Sequence, residues 1–521
     1  MVKNIGDKEF LDLLWDSAVK LRGALEPAEY KHPVLGLLFL KYVSDSFNEL
    51  HQKLHAWTQD PNNQDYYEDT EEKRLARIED RDEYEAENVF WIPEESRWDS
   101  LAIKAKQTDI AIKLDEAMRG IERENPKIKG LLYTGFALLK IPAAKIGELI
   151  DLIGQIGFNS KDHKSADILG YAYEFFLGKF ALEEGKGAGA FYTPESVVRT
   201  LVEVIAPTKG QLYEPAIGSA GMVVWSEKYM ESHGGERGDI SVFGQEYTHT
   251  TWKMAAMNLI IRGIDFNLGD TNGDTLLNDL HKDVRADYIM ANPPFNQADW
   301  GAASVRGDVR WKYGEPSNSN ANYAWIQHMV HHLNSKGRAG VVMANGAMTS
   351  NSNNEDVIRK GLVEDDLVEC MVALPGKLFI NTQIPSCIFF FNKNKKRKGE
   401  TLFIDARHIG RLENRSQLVF DDEHIMEIAG TYHAWAGTKL AQGEYKDVLG
   451  FCKSVKTEDI VKTGCVLSPG NYVGADKVEE DEVFYQEDMA LLTEKLAEQI
   501  NNSVLLDEKI KIALLEVGYD L

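Results

Sequence analysis

Between residues 196 and 391, short apolar runs of strand character alternate with runs of helical period, and this alternation is the strongest constraint on the fold. Strands are expected at 211–213, 240–243, 288–291, 340–343, 368–373 and 386–391. Helices are expected between them, at about 196–205, 222–231, 248–262, 323–333 and 354–364. Strands joined through helices favour parallel pairing, so the expected architecture is α/β: a doubly wound, mostly parallel sheet. The last two strands have no helix between them and are expected to form a hairpin-like antiparallel edge.

The third strand runs through Val284-Arg285-Ala286-Asp287-Tyr288-Ile289-Met290-Ala291 into Asn292-Pro293-Pro294-Phe295. Open α/β sheets place their chemistry at the carboxyl ends of strands, and two prolines fix the turn there. The Asn292 carboxamide oxygen and the Pro293 carbonyl can both accept hydrogen bonds from one amino group. Two acceptors out of the plane of a conjugated amine push its nitrogen toward tetrahedral geometry and free the lone pair for attack. Phe295 can stack on the flat group that carries the amine. These four residues resemble the catalytic loop of amino-methyltransferases that use S-adenosylmethionine. That resemblance makes Asn292, Pro293, Pro294 and Phe295 the candidate catalytic residues.

Other stations lie where such a fold holds its cofactor. Tyr213-Glu214-Pro215-Ala216-Ile217-Gly218-Ser219-Ala220-Gly221 carries a strand through a glycine turn into a helix. Glycine lets the backbone approach a ligand, and the spacing differs from that of pyrophosphate sites. The candidate contacts there are Glu214, Pro215, Ala216, Gly218, Ser219 and Gly221. Glu246 ends the next strand and can hold two ribose hydroxyls. Asp274 can accept from the adenine amine of the cofactor, with Asp270 competing. Phe191, Tyr192 and Thr193 lie ahead of the glycine turn and can fold over the methionine end. Phe379 precedes the last strand and can form, with Phe295, the second wall of a slot for a base that has left the duplex.

Composition bounds the rest. The 521 residues allow about three domains. Lys and Arg total 58 against 82 Asp and Glu, a net charge of -24, which repels a phosphate backbone unless the basic residues are segregated. A DNA substrate would therefore need a partner for much of its grip. The only sharp basic cluster is Lys393–Lys398, either a solvated turn between strands or a phosphate contact. No apolar run is long enough to span a bilayer, and residues 1–7 lack a signal-peptide core, so no membrane association and a cytoplasmic location are expected. The four cysteines form no Cys-x-x-Cys pair. His328 and His332 have metal-pair spacing, but no carboxylate motif accompanies them, and no metal site is expected.

Residues 1–156 read as an all-helical domain, broken at Pro27, Pro33, Pro126 and Pro142, with an acidic loop or insertion at about 60–95. Residues 157–475 hold the sheet, and 476–521 read as a helical tail built on a long amphipathic helix at 484–516.

Several segments together resemble the modification (methyltransferase) subunit of type I restriction–modification systems. They are Leu169-Gly170-Tyr171-Ala172-Tyr173-Glu174, Phe191-Tyr192-Thr193-Pro194, Ala286–Phe295, Leu378-Phe379 with Thr382-Gln383-Ile384-Pro385, and Leu467-Ser468-Pro469-Gly470-Asn471-Tyr472-Val473-Gly474. The resemblance spans nearly the whole chain. It implies a Rossmann-like S-adenosylmethionine-dependent fold and N6-adenine methylation of DNA. It implies assembly of two such chains with one specificity (S) subunit that reads the DNA, which a restriction (R) subunit using ATP can join. No general base is expected, because the product amine can lose its proton to water. The family's first motif usually reads Asp-Pro-Ala-Cys-Gly-Ser-Gly-Gly, whereas this chain has Glu214, Ile217 and Ala220 at three of those positions. The longer acid and the added methyl are expected to crowd the pocket and weaken cofactor binding. Two other readings compete: a methyltransferase acting on the amide nitrogen of protein glutamines, and a scaffold that no longer binds cofactor. N4 of cytosine is an alternative target amine, although Phe after the prolines favours adenine.

Overall fold

The computed structural model describes residues 27–87, 89–139, 141–154, 193–379, 385–414 and 417–474, together with Trp15, Tyr173, Phe175, Phe176, Lys179, Thr493, Ser503 and Leu506. The segment 169–174 and the amphipathic helix expected at 484–516 lie almost wholly outside these residues. The chain divides into two compact units, Met1–Val473 and Gly474–Leu521, and the first holds every element below.

The N-terminal helices are α1 (Pro27–Gln59), α2 (Glu71–Ile78), α3 (Arg81–Ala86), α4 (Trp98–Ala102), α5 (Ile110–Glu124) and α6 (Ala143–Ile153). Pro33 does not break α1. It sits in the second turn, where it costs one backbone hydrogen bond, while the buried run Val34–Leu40 carries the helix on. The acidic stretch at 60–95 is likewise not a plain loop. Thr70 and Asp80 accept from backbone amides at the starts of α2 and α3. Tyr84 is buried there and stacks on Phe47 of α1 at 4.8 Å.

The sheet is built from β1 (Gly210–Glu214), β2 (Ile240–Gly244), β3 (Phe266–Asn267), β4 (Ala286–Ala291), β5 (Leu333–Ala344), β6 (Val368–Ala373), β7 (Ser386–Asn392), β8 (Glu400–Asp405) and, beyond the two-stranded pair β9 (Arg411–Asn414) and β10 (Gln417–Val419), β11 (Cys452–Lys456). Its order is β11-β8-β6-β7-β5-β4-β1-β2-β3. β4, β1, β2 and β3 pair in parallel, as do β4 with β5 and β6 with β8. β7 is antiparallel to both neighbours, as expected, but it lies inside the sheet and not at an edge. β8 and β11 extend the sheet beyond β6, and sequence periodicity did not signal them.

Along the strands, side chains alternate between two cores with a period of two. Leu212, Val342, Cys370, Val372, Ile388 and Phe390 join one core, and Tyr213, Val341, Met343, Met371, Phe389 and Phe391 the other. The first is covered by α7 (Glu195–Ile205), α8 (Gly221–Ser232), α9 (His249–Ile261) and the N-terminal helices, with Tyr42 of α1 donating to the Ile261 carbonyl at 2.9 Å. The second is covered by α10 (Asn322–His332) and α11 (Glu355–Glu364). α12 (Asp422–Ala436) packs beside α7, and α13 (Thr457–Lys462) beside α11. Among the described residues, no helix is long and apolar enough to cross a membrane.

Two predictions follow from this packing. A Cβ on Gly340 of β5 would lie 2.6 Å from Leu201 of α7 and 3.1 Å from Phe390 of β7. Gly340→Ala should therefore cost about 1–3 kcal/mol, read as a lower denaturation midpoint. Burial, with the charge of Glu231 beside it, pushes the Glu227 carboxyl on α8 up to about 7. The folded state thus keeps a proton that the unfolded chain loses near its ordinary carboxylate value. The stability this provides is complete below that value and lost as pH rises through about 7. Glu227→Gln should raise the melting temperature relative to the parent at about pH 8, with the difference shrinking toward about pH 5.

Candidate active site

The carboxyl ends of β1, β2 and β4 lie side by side, and their loops are tied into one unit by hydrogen bonds. β1 ends at Glu214, level with Gly244 of β2. The Gln245 amide donates to the Glu214 carbonyl at 3.1 Å, and the Ile217 amide donates to the Gln245 carbonyl at 3.0 Å. The Glu246 carboxylate accepts from the amides of Gly218 at 3.1 Å and Thr248 at 2.9 Å. The Gly273 amide donates to the Glu246 carbonyl at 2.8 Å, and the Thr275 hydroxyl to the Pro215 carbonyl at 2.6 Å. Asn258 of α9 holds the Ser219 carbonyl at 2.7 Å. This pole therefore gathers Glu214, Pro215, Ala216, Gly218, Ser219, Gly221, Glu246 and Asp274. Asp270 lies exposed on a separate turn, whereas Asp274 is half-buried.

The two glutamates share a low-dielectric environment. Glu214 is 3% exposed, and its Oε2 has no hydrogen-bond partner among the described residues. Burial holds its carboxyl well above the usual range, and the charge of Glu246 pushes the same way, so the neutral form is favoured. Burial also raises Glu246, opposed by the backbone amides that point at it.

β4 delivers the Asn-Pro-Pro-Phe turn to the same pole. The Asn292 side-chain amide donates to the Thr193 hydroxyl at 3.0 Å. Its other end, Oδ1, is buried and has no partner among the described residues. Asn296, at φ 53°, closes the turn by exchanging hydrogen bonds with Asn322 at 3.0 and 2.9 Å. Phe295 and Phe379 are brought together with ring centroids 6.0 Å apart, but their planes meet at 72°. A base held between two rings needs them parallel and about twice the ~3.5 Å contact distance apart. Here the rings touch edge to face, so the expected two-walled slot is not formed in this conformation. Phe191 and Tyr192 lie outside the described residues.

Comparison with known proteins identifies the chain. The model of the N-6 DNA methylase family matches residues 164–481, and that of the HsdM N-terminal domain matches residues 12–153. The chain belongs to this N-6 DNA methylase family. It is 44% identical over 424 residues to the HindI methylase subunit of Haemophilus influenzae, covering 80% of this chain and 94% of that one. It is 35% identical over 524 residues to the MjaIX methylase subunit of Methanocaldococcus jannaschii, covering 98% of this chain and 92% of that one. Both relatives are described as type I restriction enzyme methylase subunits. The type I restriction-modification methyltransferase subunit from Streptococcus thermophilus shares the fold, with a TM-score of 0.72 at 24% identity over 89% of this chain and 98% of that one. The protein is thus a type I methylase subunit, an S-adenosylmethionine-dependent N6-adenine DNA methyltransferase. The reading as a protein glutamine methyltransferase is not favoured.

The methylase also contains a buried polar network that the sequence did not signal. Donor atoms of Asp279, His328 and His332 all lie within 4.8 Å of one another. The expectation that no carboxylate accompanies this histidine pair is corrected, because Asp279 arrives from a loop 53 residues away. Every ring nitrogen already has a protein partner. His328 meets the Tyr213 hydroxyl and Arg310 Nη1, each at 3.1 Å. His332 meets Asp279 at 2.9 Å and the Val284 carbonyl at 3.0 Å. The Arg310 guanidinium beside these rings opposes a second cation. Burial drives His328 well below its ordinary value. Burial would raise the Asp279 carboxyl, but the His332 hydrogen bond and the nearby histidines hold it low.

Four of the five basic side chains at 393–398 have partners within the methylase fold. Lys393 donates to the Leu333 carbonyl, Lys395 to Asp366 and Val368, and Lys396 to the Gly437 carbonyl. Arg397 pairs with Glu400 and covers the Trp435 ring. β7 runs antiparallel to β5, so its end at Asn392 pairs with Arg338 at the opposite pole from Asn292. The cluster therefore cannot hold phosphates beside a base at the Asn292 turn.

Two of the three departures in the first motif fall on the core side, while the third, Glu214, stays at the pole beside Glu246. Ile217 and Ala220 are buried in the apolar cluster, so their bulk does not crowd the pocket. Ala220 instead sits at φ 63°, a left-handed conformation that the family's glycine adopts freely. Ala220→Gly should therefore stabilise the methylase by up to about 1 kcal/mol, read from chemical denaturation.

Proposed function

We propose that Asn292, Pro293, Pro294 and Phe295 carry the reaction and that the surrounding pole holds S-adenosylmethionine. The observation that carries this reading is the Asn292 carboxamide. Its nitrogen is committed to Thr193, so its buried, unpartnered oxygen is the end left for a substrate amine. The residues fit the cofactor. Gly218 is left-handed, a Cβ on Gly221 would meet nothing nearer than Ser219 Oγ at 3.9 Å, and Glu214 presents a second unpartnered buried oxygen.

When bound, S-adenosylmethionine supplies an electrophilic methyl group. Glu246 keeps lone pairs for the ribose hydroxyls, and Asp274 keeps Oδ2 for the adenine end, its Oδ1 being held by the amides of Leu276 and Leu277. Thr193, with Phe191 and Tyr192, would hold the methionine end. Asn292 Oδ1 and the Pro293 carbonyl accept from the target amine and localise its lone pair. Phe295 stacks on the target adenine after its ring and that of Phe379 turn from their present edge-to-face contact. The amine proton passes to water.

We read the chain as three parts: a helical domain (1–156), the methyltransferase domain (157–475) and a helical tail (476–521). The two family matches support the first boundary. The complex comprises two copies of this chain with a specificity subunit that reads the DNA, which a restriction subunit can join, in the cytoplasm. The acidic charge and the internal use of Lys393–Arg397 support a partner's share in holding DNA.

Labelled S-adenosylmethionine, DNA and the chain purified with its specificity subunit test the roles. Label should appear on adenine N6. Asn292→Ala should lower the rate by about 10²–10³-fold, as when one preorganised polar group is lost, while binding of S-adenosylhomocysteine is kept. Equal rates in the two proteins would remove Asn292 from the chemistry.

A further inference from the structure

Arg310 lies in the long connection between the catalytic turn and α10, and its side chain is 6% exposed. A guanidinium has five N–H donors in a planar fork, and here all five are used. Nε donates to Asp308 Oδ1 at 2.9 Å. Nη2 donates to Asp308 Oδ2 at 2.8 Å and to the Leu276 carbonyl at 2.7 Å. Nη1 donates to His328 Nδ1 at 3.1 Å and to the Thr275 carbonyl at 3.3 Å. His328 is fixed on its other side by the hydroxyl of Tyr213, the residue before Glu214.

The two carbonyls matter because of what shares their peptide planes. The Thr275 carbonyl belongs to the same peptide unit as the Leu276 N–H, and the Leu276 carbonyl to the same unit as the Leu277 N–H. Those two N–H groups hold Asp274 Oδ1 at 3.0 and 3.1 Å. Arg310 therefore grips one edge of two consecutive peptide planes while Asp274 is bound to the other. A cation on the carbonyl side also polarises each amide and strengthens its N–H as a donor to a carboxylate.

We propose that Arg310 is a positioning residue for cofactor binding. It fixes the peptide planes at 275–277 and so aims the Asp274 carboxylate, while touching neither the cofactor nor the substrate. The proposal rests on the assignment of Asp274 to the adenine end of the cofactor. It links the segment after the catalytic turn to the cofactor loop through one side chain. A lysine cannot replace it, because three tetrahedral donors cannot span Asp308, His328 and two carbonyls at once.

The test uses the full-length chain with three variants, Arg310→Lys, Asp308→Asn and Asp274→Asn, beside the parent. Calorimetry measures S-adenosylhomocysteine affinity, hydrogen exchange follows peptides over residues 273–280, and steady-state methylation with the specificity subunit separates KM from kcat. Arg310→Lys should bind about tenfold more weakly, as expected for losing hydrogen bonds to a charged group. It should raise KM for S-adenosylmethionine, leave kcat at saturation nearly unchanged, and speed exchange over 273–280 but not over β1 or β4. Asp308→Asn should move the same quantities less, and it keeps the test alive if Arg310→Lys does not fold. Parent-like affinity and exchange in a folded Arg310 or Asp308 variant would overturn the proposal, as would a loss confined to kcat or to the melting temperature. Parent-like affinity in Asp274→Asn would instead refute the assignment of Asp274, and with it any route from Arg310 to the cofactor.

Discussion

A sheet covered on both faces can do polar chemistry only where its strands end. In this methylase the central strands feed two apolar cores with alternate residues, and β6 and β7 are buried at every position. The backbone groups of the loops at the carboxyl pole must then be satisfied by one another, since an unpaired buried amide or carbonyl is costly. The links from Gln245 to Glu214, Ile217 to Gln245, Gly273 to Glu246 and Thr275 to Pro215 meet that demand. The same bonds tie the loops after β1 and β2 and the connection from β3 to β4 into one cradle. Rigidity of the site is thus a consequence of burying the sheet.

Within that cradle the unsatisfied groups stand out. Asn292 Oδ1 and Glu214 Oε2 are buried oxygens without partners among the described residues, as is Oδ1 of Asn258. In the proposed reaction, keeping the Asn292 acceptor desolvated before substrate arrives avoids the cost of reorganising water around it. Thr193 secures this by holding the amide end of Asn292. Burial holds the Glu214 carboxyl above its ordinary range, and the charge of Glu246 pushes the same way. Charge here is rationed by burial.

The charge pattern of the whole chain bears on its assembly. A net charge of -24 opposes a polyanion, and the most basic segment spends its cations on carbonyls, Asp366, Glu400 and Trp435 at the far end of the sheet. The chain supplies chemistry at one pole and little electrostatic attraction of its own. That division fits a subunit whose DNA grip is shared with others.

Much of this was fixed by local pattern. The alternation of strand and helix runs gave the parallel pairing of β1, β2, β4 and β5, and it put Asn292 at the end of β4, because period and turn chemistry are properties of short segments. The motif segments were legible for the same reason. What the pattern could not carry was partnership across distance. The interior place of β7, the added strands β8 and β11, the pairing of His332 with Asp279, the five-fold use of Arg310 and the edge-to-face meeting of Phe295 with Phe379 all join residues far apart in the chain. A lone arginine, a histidine pair or a phenylalanine reads alike on a surface or in a core. Only packing decides which polar groups lose their water and must find each other, and in this protein that decision assembled the network around Arg310, His328 and the 275–277 peptides.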